Sequence, residues 1–132
     1  MTVFSYQALY NFTESVFLAM GCSAADATAA TKVLIAADLR GIDSHGVARL
    51  SGYVRLWEAG RINATPNIHV VHETPSTAVV DGGAGLGLVV APYAMQIAID
   101  KAKQVGTGWV SVKNSYTLSL HDALPIDRKS VV

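Results

Sequence analysis

The sequence contains very little cysteine and little charge. Cys22 is the single cysteine among 132 residues, which excludes an internal disulfide and is typical of a reducing compartment. Ten basic and ten acidic residues balance, so no excess of positive charge indicates nucleic acid or an anionic membrane as a partner. No apolar run approaches the roughly 20 residues that a bilayer-spanning helix needs, and the N-terminus MTVFSYQALYNF lacks the features of a signal peptide. We therefore expect a cytoplasmic, soluble protein.

The first part of the chain has the pattern of consecutive helices. Hydrophobic residues make up 51% of the sequence, enough for a buried core. Apolar residues recur at steps of three and four from Ser5 or Tyr6 to Met20, which predicts an amphipathic helix. Ser23 is placed to cap a second, alanine-rich helix over residues 24–39. A glycine follows each of these segments, as expected where a helix ends.

A third helix is predicted from Asp43 or Ser44, as its N-cap, to about residue 59. It falls in the stretch DLRGIDSHGVARLSGY, residues 38–53, which has the densest collection of polar side chains in the chain. His45, Arg49 and Tyr53 are each separated by four residues, so a continuous helix would place them on one face.

This face has the residue types that bind and convert a 2-hydroxy or 2-oxo acid. The guanidinium of Arg49 offers a planar pair of donors to a carboxylate. His45 is of the type that exchanges protons near neutral pH, and Tyr53 and Ser44 can orient a substrate by hydrogen bonds. The alternative is an exposed amphipathic helix with an ordinary polar face, which spacing alone favours.

The composition changes near residues 63–66, after which the pattern is α/β. Short β-rich segments at residues 68–71 and 77–81 flank the turn sequence ETPS. Glycine-rich residues 82–87 predict a turn, and the following helix is expected to begin only near Pro92 and to end at Gly106. A third strand at residues 109–112 completes a βαβ-like unit. We therefore predict a mixed α/β (α+β) protein, with a helical substrate-contact segment at residues 1–65 and an α/β segment at residues 66–115.

The remaining candidate groups carry weaker signals. The glycine run does not match G-x-G-x-x-G, so it is either a phosphate cradle or tight packing, and Asp81 is either a ribose ligand or a turn residue. His69 and His72 are three apart on a predicted strand, so we expect them on opposite faces, exposed to solvent, and no metal site. Cys22 is more consistent with a packing thiol than with a nucleophile.

Three segments in order resemble the malate/L-lactate dehydrogenase-like oxidoreductases: DLRGIDSHGVARL, VVDGGAGLG and AMQIAIDKAKQVGTGWVSVKNS. The resemblance covers residues 4–115. It implies a non-Rossmann fold, hydride transfer between NAD or NADP and a small 2-hydroxy or 2-oxo acid, and an intertwined homodimer. It also implies that Ser44, His45, Arg49 and Tyr53 contact the substrate, with His45 auxiliary in catalysis. It assigns no cofactor-binding residues and no metal ligands.

The sequence departs from this resemblance after Ser115. The family continues there with an Asn-His-Phe-Gly-like segment, whose histidine is the implied main proton acceptor or donor, and its members are considerably longer. Here residues 116–132 read YTLSLHDALPIDRKSVV. Residues 121–126 can be encoded by CAC GAC GCT CTT CCG ATC, and the reverse complement of this string encodes residues 127–132. We interpret residues 116–132 as translated sequencing-adapter DNA, without evolved packing; an unusual natural C-terminus is the alternative.

Three functional hypotheses follow. In the first, the chain is a fragment of an NAD(P)-dependent 2-hydroxy-acid dehydrogenase and is inactive on its own. In the second, it is a truncated helical fragment without function. In the third, it is a small anion-binding module that uses Arg49 and the turn glycines. Clear oxidation of NAD(P)H by the 132-residue chain, with any of a panel of 2-oxo acids, would overturn the interpretation that the chain is incomplete.

Overall fold

A computed structural model describes residues 3–116 of the chain. The chain forms two compact units, with the division between Thr65 and Pro66. The first unit is helical, and the second consists of a three-stranded sheet with one helix. The predicted mixed α/β class is confirmed. The expectation of a terminus without packing concerns residues outside those described.

The first unit is built on two helices that pack against each other, α1 (Tyr6–Ala19) and α2 (Ala24–Leu39). Each begins at a serine cap: the Ser5 hydroxyl accepts from the Ala8 amide at 3.2 Å, and the Ser23 hydroxyl accepts from the Asp26 amide at 3.1 Å. Large side chains on these helices alternate with alanines in the unit's buried core, which includes Phe17, Met20, Ala27, Ala30, Leu34 and Ile35. The glycines that follow the predicted helices have positive φ, which favours glycine: Gly21, Gly41, Gly60 and Gly106.

The prediction of one continuous third helix is wrong. Residues Asp43–His45 and Val47–Arg49 form two separate 3₁₀ turns, and the α-helix α3 occupies only Leu50–Glu58. Neither Asp43 nor Ser44 caps a helix with its side chain. The interruption lies at Gly46, where φ is −90° and ψ is −146°, far from helical values.

The second unit is a sheet in the order β1-β2-β3, formed by β1 (His69–Glu73), β2 (Thr77–Leu86) and β3 (Trp109–Tyr116). Strands β1 and β2 are antiparallel, whereas β2 and β3 are parallel and connected by the helix α4 (Gly87–Val105). One face of the sheet packs on α4, and the core of this unit consists of Val80, Val90 and Ala94 with Ile68, Val70, Ile97, Val110 and Val112. This arrangement is the βαβ-like unit that the sequence predicts.

The glycine-rich segment is not the turn that we expected. Strand β2 continues through it to Leu86, and α4 begins at Gly87, well before Pro92. The segment is accommodated by a bulge: Asp81 pairs with Lys113 and Gly85 with Ser115, so residues 82–84 lie opposite a single residue of β3. Pro92 is tolerated inside the helix at the loss of one backbone hydrogen bond, to the Leu88 carbonyl.

The expectation that His69 and His72 point to opposite faces is also wrong. His69 pairs with Asp81 and His72 pairs with Val79, because the register of β1 shifts between Val70 and His72. Asp81 and Val79 are two apart on β2, so the two histidines share a face. Both are exposed, as expected.

Candidate functional site

Hydrogen bonds in the first unit connect the predicted substrate-contact residues Ser44, His45 and Arg49. The Arg49 Nε atom donates to the Ser44 carbonyl at 3.0 Å. Its Nη2 atom lies 3.4 Å from His45 Nε2, and His45 Nδ1 lies 2.9 Å from the Ser44 hydroxyl. Contact between His45 and Arg49 is therefore made across two 3₁₀ turns rather than along one α-helix.

These contacts specify the tautomer of His45. A guanidinium only donates, so His45 Nε2 must accept from Arg49, and the ring proton is on Nδ1. The Nδ1–H group then donates to the Ser44 hydroxyl. The ring of His45 is held at both nitrogens, by Ser44 and by Arg49, which suits a group that orients a substrate.

Arg49 is exposed, as is Ser44, whereas His45 is partly buried. The Arg49 side chain is held at Nε and at one Nη atom, which leaves the other edge of the guanidinium available to a ligand. A carboxylate matches this planar edge, because its two oxygens can accept parallel N–H groups. Immobilisation by the protein lowers the entropic cost of forming such a pair.

Tyr53 lies further along the chain, in α3, and is buried with 4% of its surface exposed. The predicted stack of three side chains on one α-helical face is not formed, because only Tyr53 of the three lies within α3. Its role as a substrate contact stays a prediction.

A residue that the sequence analysis did not single out also belongs to this site. Asp38 is in the last turn of α2, and its Oδ2 atom accepts from the Val47 amide at 2.8 Å, at the start of the second 3₁₀ turn. One sequence signal was available: a carboxylate at the C-terminal end of a helix opposes the helix dipole, so it requires a local reason.

The glycine-rich segment does not fit the phosphates of a dinucleotide. In a phosphate cradle, the open side of each glycine faces the ligand. Here a Cβ at Gly82 would lie 2.9 Å from the Asn114 carbonyl oxygen, and one at Gly85 would lie 2.7 Å from Pro66. The absence of a side chain at these glycines therefore allows close approach of Asn114 and Pro66, which favours the interpretation as tight packing.

Asp81 likewise interacts with its own chain. Its Oδ1 atom accepts from the Gly83 amide at 2.9 Å and from the Asn114 side-chain amide at 3.2 Å, and Lys113 Nζ is 3.5 Å from Oδ2. The Gly83 hydrogen bond, followed by that of Asn114, lowers the pKa of Asp81. This carboxylate therefore stabilises the bulge of β2, which favours the interpretation of Asp81 as a turn residue over that of a ribose ligand.

Neither a metal site nor a reactive thiol is found in the part of the chain that the structure describes. Within residues 3–116 no three histidine, cysteine, aspartate or glutamate side chains come together in a way that could hold a metal ion. Cys22 is buried, and burial raises its pKa to about 11, so the inert thiol predominates. None of the helices in this range is both long and apolar enough to cross a membrane.

Residues 4–122 match the sequence profile of the malate/L-lactate dehydrogenase family. The chain belongs to this family. The match includes the Ser44, His45 and Arg49 site and extends through both units, so the predicted family is confirmed.

Individual relatives give the same result. The chain is 46% identical over 107 residues to a malate dehydrogenase from Pyrococcus abyssi, covering 81% of this chain and 30% of that protein. It is 47% identical over 90 residues to an L-sulfolactate dehydrogenase from Methanocaldococcus jannaschii, covering 68% and 26%. The solved structure of the sulfolactate dehydrogenase from the same organism superposes with a TM-score of 0.84 at 38% identity, covering 86% of this chain and 33% of that one. The chain thus spans about a third of the length of these family members.

Proposed function

We propose that this chain is part of an NAD(P)-dependent dehydrogenase of small 2-hydroxy or 2-oxo acids, and that its first unit supplies the carboxylate-binding wall of the active site. The observation that carries the proposal is the arginine of this wall. Arg49 is exposed, held at Nε by the Ser44 carbonyl, and hydrogen-bonded to His45. The relatives named for malate and sulfolactate act on substrates that carry a carboxylate next to a hydroxyl group.

In this proposal each side chain has a distinct task. Arg49 binds the substrate carboxylate through the edge of its guanidinium. His45 and Ser44 orient the substrate hydroxyl or carbonyl oxygen, and Tyr53 lines the wall from α3. His45 is an auxiliary group, because its Nε2 lone pair already accepts from Arg49. The main proton acceptor or donor therefore lies elsewhere in the parent protein.

NAD or NADP would supply hydride acceptance or donation in the parent protein. The glycine-rich segment offers no cradle for either, so we assign no cofactor-binding residue within residues 3–116. We further propose that the parent protein is cytoplasmic, in keeping with the single cysteine, and that it is a homodimer, as the resemblance described above implies. The 132-residue chain itself is proposed to bind the acid without converting it.

The deciding experiment uses the complete gene product of the parent. Arg49→Ala is expected to raise KM for the best 2-oxo acid about tenfold or more, with a smaller change in kcat, because it removes a carboxylate partner present throughout the reaction. Arg49→Lys should recover part of the loss, since it restores the charge but not the planar pair of donors.

Arg55→Ala is the matched control, because Arg55 is an exposed arginine of α3. It should leave KM near the wild-type value. An unchanged KM in Arg49→Ala would remove Arg49 from the substrate site. Absence of any NAD(P)H oxidation by the parent protein, over a panel including oxaloacetate and pyruvate, would refute the proposed activity as a whole.

A further inference from the structure

We propose that Asp38 is a positioning residue, which fixes the backbone between the two 3₁₀ turns and thereby sets the relative geometry of His45 and Arg49. Its consequence for substrate binding rests on the proposed function. The geometric part of the proposal concerns the unliganded chain alone and can be tested separately.

The first support is the hydrogen bond between Asp38 Oδ2 and the Val47 amide, at 2.8 Å. It joins residues nine positions apart and connects the end of α2 to the segment that carries the site. Val47 is partly buried, so its amide needs a partner inside the protein. A carboxylate is a strong acceptor for this purpose, because charge-assisted hydrogen bonds are shorter and stronger than neutral ones.

The second support is Gly46, which precedes Val47 and is buried. Its φ of −90° does not require glycine. A Cβ at this position would instead overlap the Asp38 carboxylate. The lack of a side chain at Gly46 therefore allows Asp38 to reach the Val47 amide, so the hydrogen bond depends on both residues.

The third support is the route from this hydrogen bond to the site. The Gly46 carbonyl accepts from the Arg49 amide at 2.9 Å, and the Ser44 carbonyl accepts from Arg49 Nε at 3.0 Å. Both carbonyls belong to the segment that Asp38 holds at Val47. Rotation of the peptide between Gly46 and Val47 would turn the Gly46 carbonyl away from the Arg49 amide. Loss of this hydrogen bond would allow Arg49 to move away from the Ser44 carbonyl and from His45.

The experiment uses the ¹⁵N-labelled 132-residue chain and nuclear magnetic resonance. The Arg49 Nε–H signal reports its hydrogen bond to Ser44 through slow exchange with water, and the ring nitrogens of His45 report the tautomer. Both signals are assigned by their loss in Arg49→Lys and His45→Gln. In the wild type we expect a protected Nε–H and a proton on Nδ1.

Asp38→Ala should abolish both signatures and weaken the binding of L-malate about tenfold, which corresponds to about 1.4 kcal/mol. Asp38→Asn keeps an acceptor oxygen, so it should retain the tautomer and most of the Nε–H protection. This rescue distinguishes positioning from a general loss of stability. Asp100→Ala, an exposed position on α4 in the other unit, is the control and should change neither signature.

If Asp38→Ala is folded and keeps both signatures, the proposal is overturned. If Asp38→Ala is unfolded, Gly46→Ala decides: it retains the carboxylate but pushes it from the Val47 amide, and it must abolish the Nε–H protection. Two results count against the proposal. In the first, Gly46→Ala is folded and retains the protection of the Arg49 Nε–H group. In the second, Gly46→Ala is unfolded and Asp38→Asn loses that protection. Failure of wild-type chain to bind L-malate would refute the carboxylate-binding wall but not the positioning role.

Discussion

At the scale of single residues, Asp81 shows how a carboxylate can maintain an irregular strand. Its Oδ1 atom accepts from the Gly83 amide within the bulge and from the Asn114 side chain on the neighbouring strand. Asn114 has a φ of 52° and Gly83 a φ of 58°, so the backbone is in the left-handed region on both strands. The carboxylate links these two positions.

This network predicts a specific acid sensitivity. The folded-state pKa of Asp81 is lowered, mainly by the Gly83 hydrogen bond. A lowered folded pKa contributes stability that is present above the unfolded pKa, about 3.9, and is lost as pH falls through the folded value. Urea unfolding at a series of pH values should therefore show a smaller loss on acidification in Asp81→Asn than in the wild type. Equal losses in both proteins would contradict the assignment, and Asp100→Asn is the control.

Cys22 gives a second prediction at this scale. Burial, followed by the charge of Asp26, raises its pKa to about 11. At pH 8 only roughly one thiol in a thousand is then ionised in the folded chain, and the thiolate is the species that reacts. A colorimetric thiol reagent should react slowly with the native chain and rapidly after addition of denaturant. Fast labelling of a chain that circular dichroism shows to be folded would contradict this.

At the scale of elements, the sequence predicts what is local and misses what depends on distant contacts. The Ser23 hydroxyl accepts from an amide three residues ahead, so the position of this cap follows from short-range pattern alone. The prediction of one continuous third helix is wrong because the conformation of its first turns depends on Asp38, which belongs to the preceding helix. The bulge of β2 was missed for a similar reason, since Pro66 and Asn114 occupy the space beside its glycines.

The Ser23 cap carries a prediction about stability. Ser23→Ala leaves the Asp26 amide without its side-chain acceptor, and loss of such a cap typically costs about 1 kcal/mol. The free energy of unfolding from urea titration should fall by this amount. Ser23→Asp provides an equivalent acceptor and is expected to stay within about 0.5 kcal/mol of the wild type. A similar decrease in both variants would show that the hydroxyl does not act as a cap.

At the scale of the whole molecule, the order of the segments was predictable because each unit carries its own periodicity. Two helices, of which the second is alanine-rich, precede the β-rich segments, and the family motifs occur in the same order. Of the candidate site, the sequence identified Ser44, His45 and Arg49, which the structure brings together. The position of Asp38 at the end of a helix marks it as unusual, but its partner Val47 was not predictable, because their hydrogen bond arises only when the end of α2 meets the 3₁₀ turns.

The small share of its relatives' length that the chain spans leads to a prediction about catalysis. The chain covers 30% of the Pyrococcus abyssi malate dehydrogenase. Residues 3–116 contain the proposed carboxylate-binding wall but no phosphate cradle at the glycine-rich segment. We therefore expect the purified 132-residue chain to give no oxidation of NADH or NADPH with any 2-oxo acid, whereas the complete parent protein turns over. Hydride transfer requires that substrate and nicotinamide be held in contact by the protein, so binding of the acid alone is not sufficient. Turnover by the 132-residue chain that Arg49→Ala abolishes would contradict this prediction, because it would place the whole reaction within the chain.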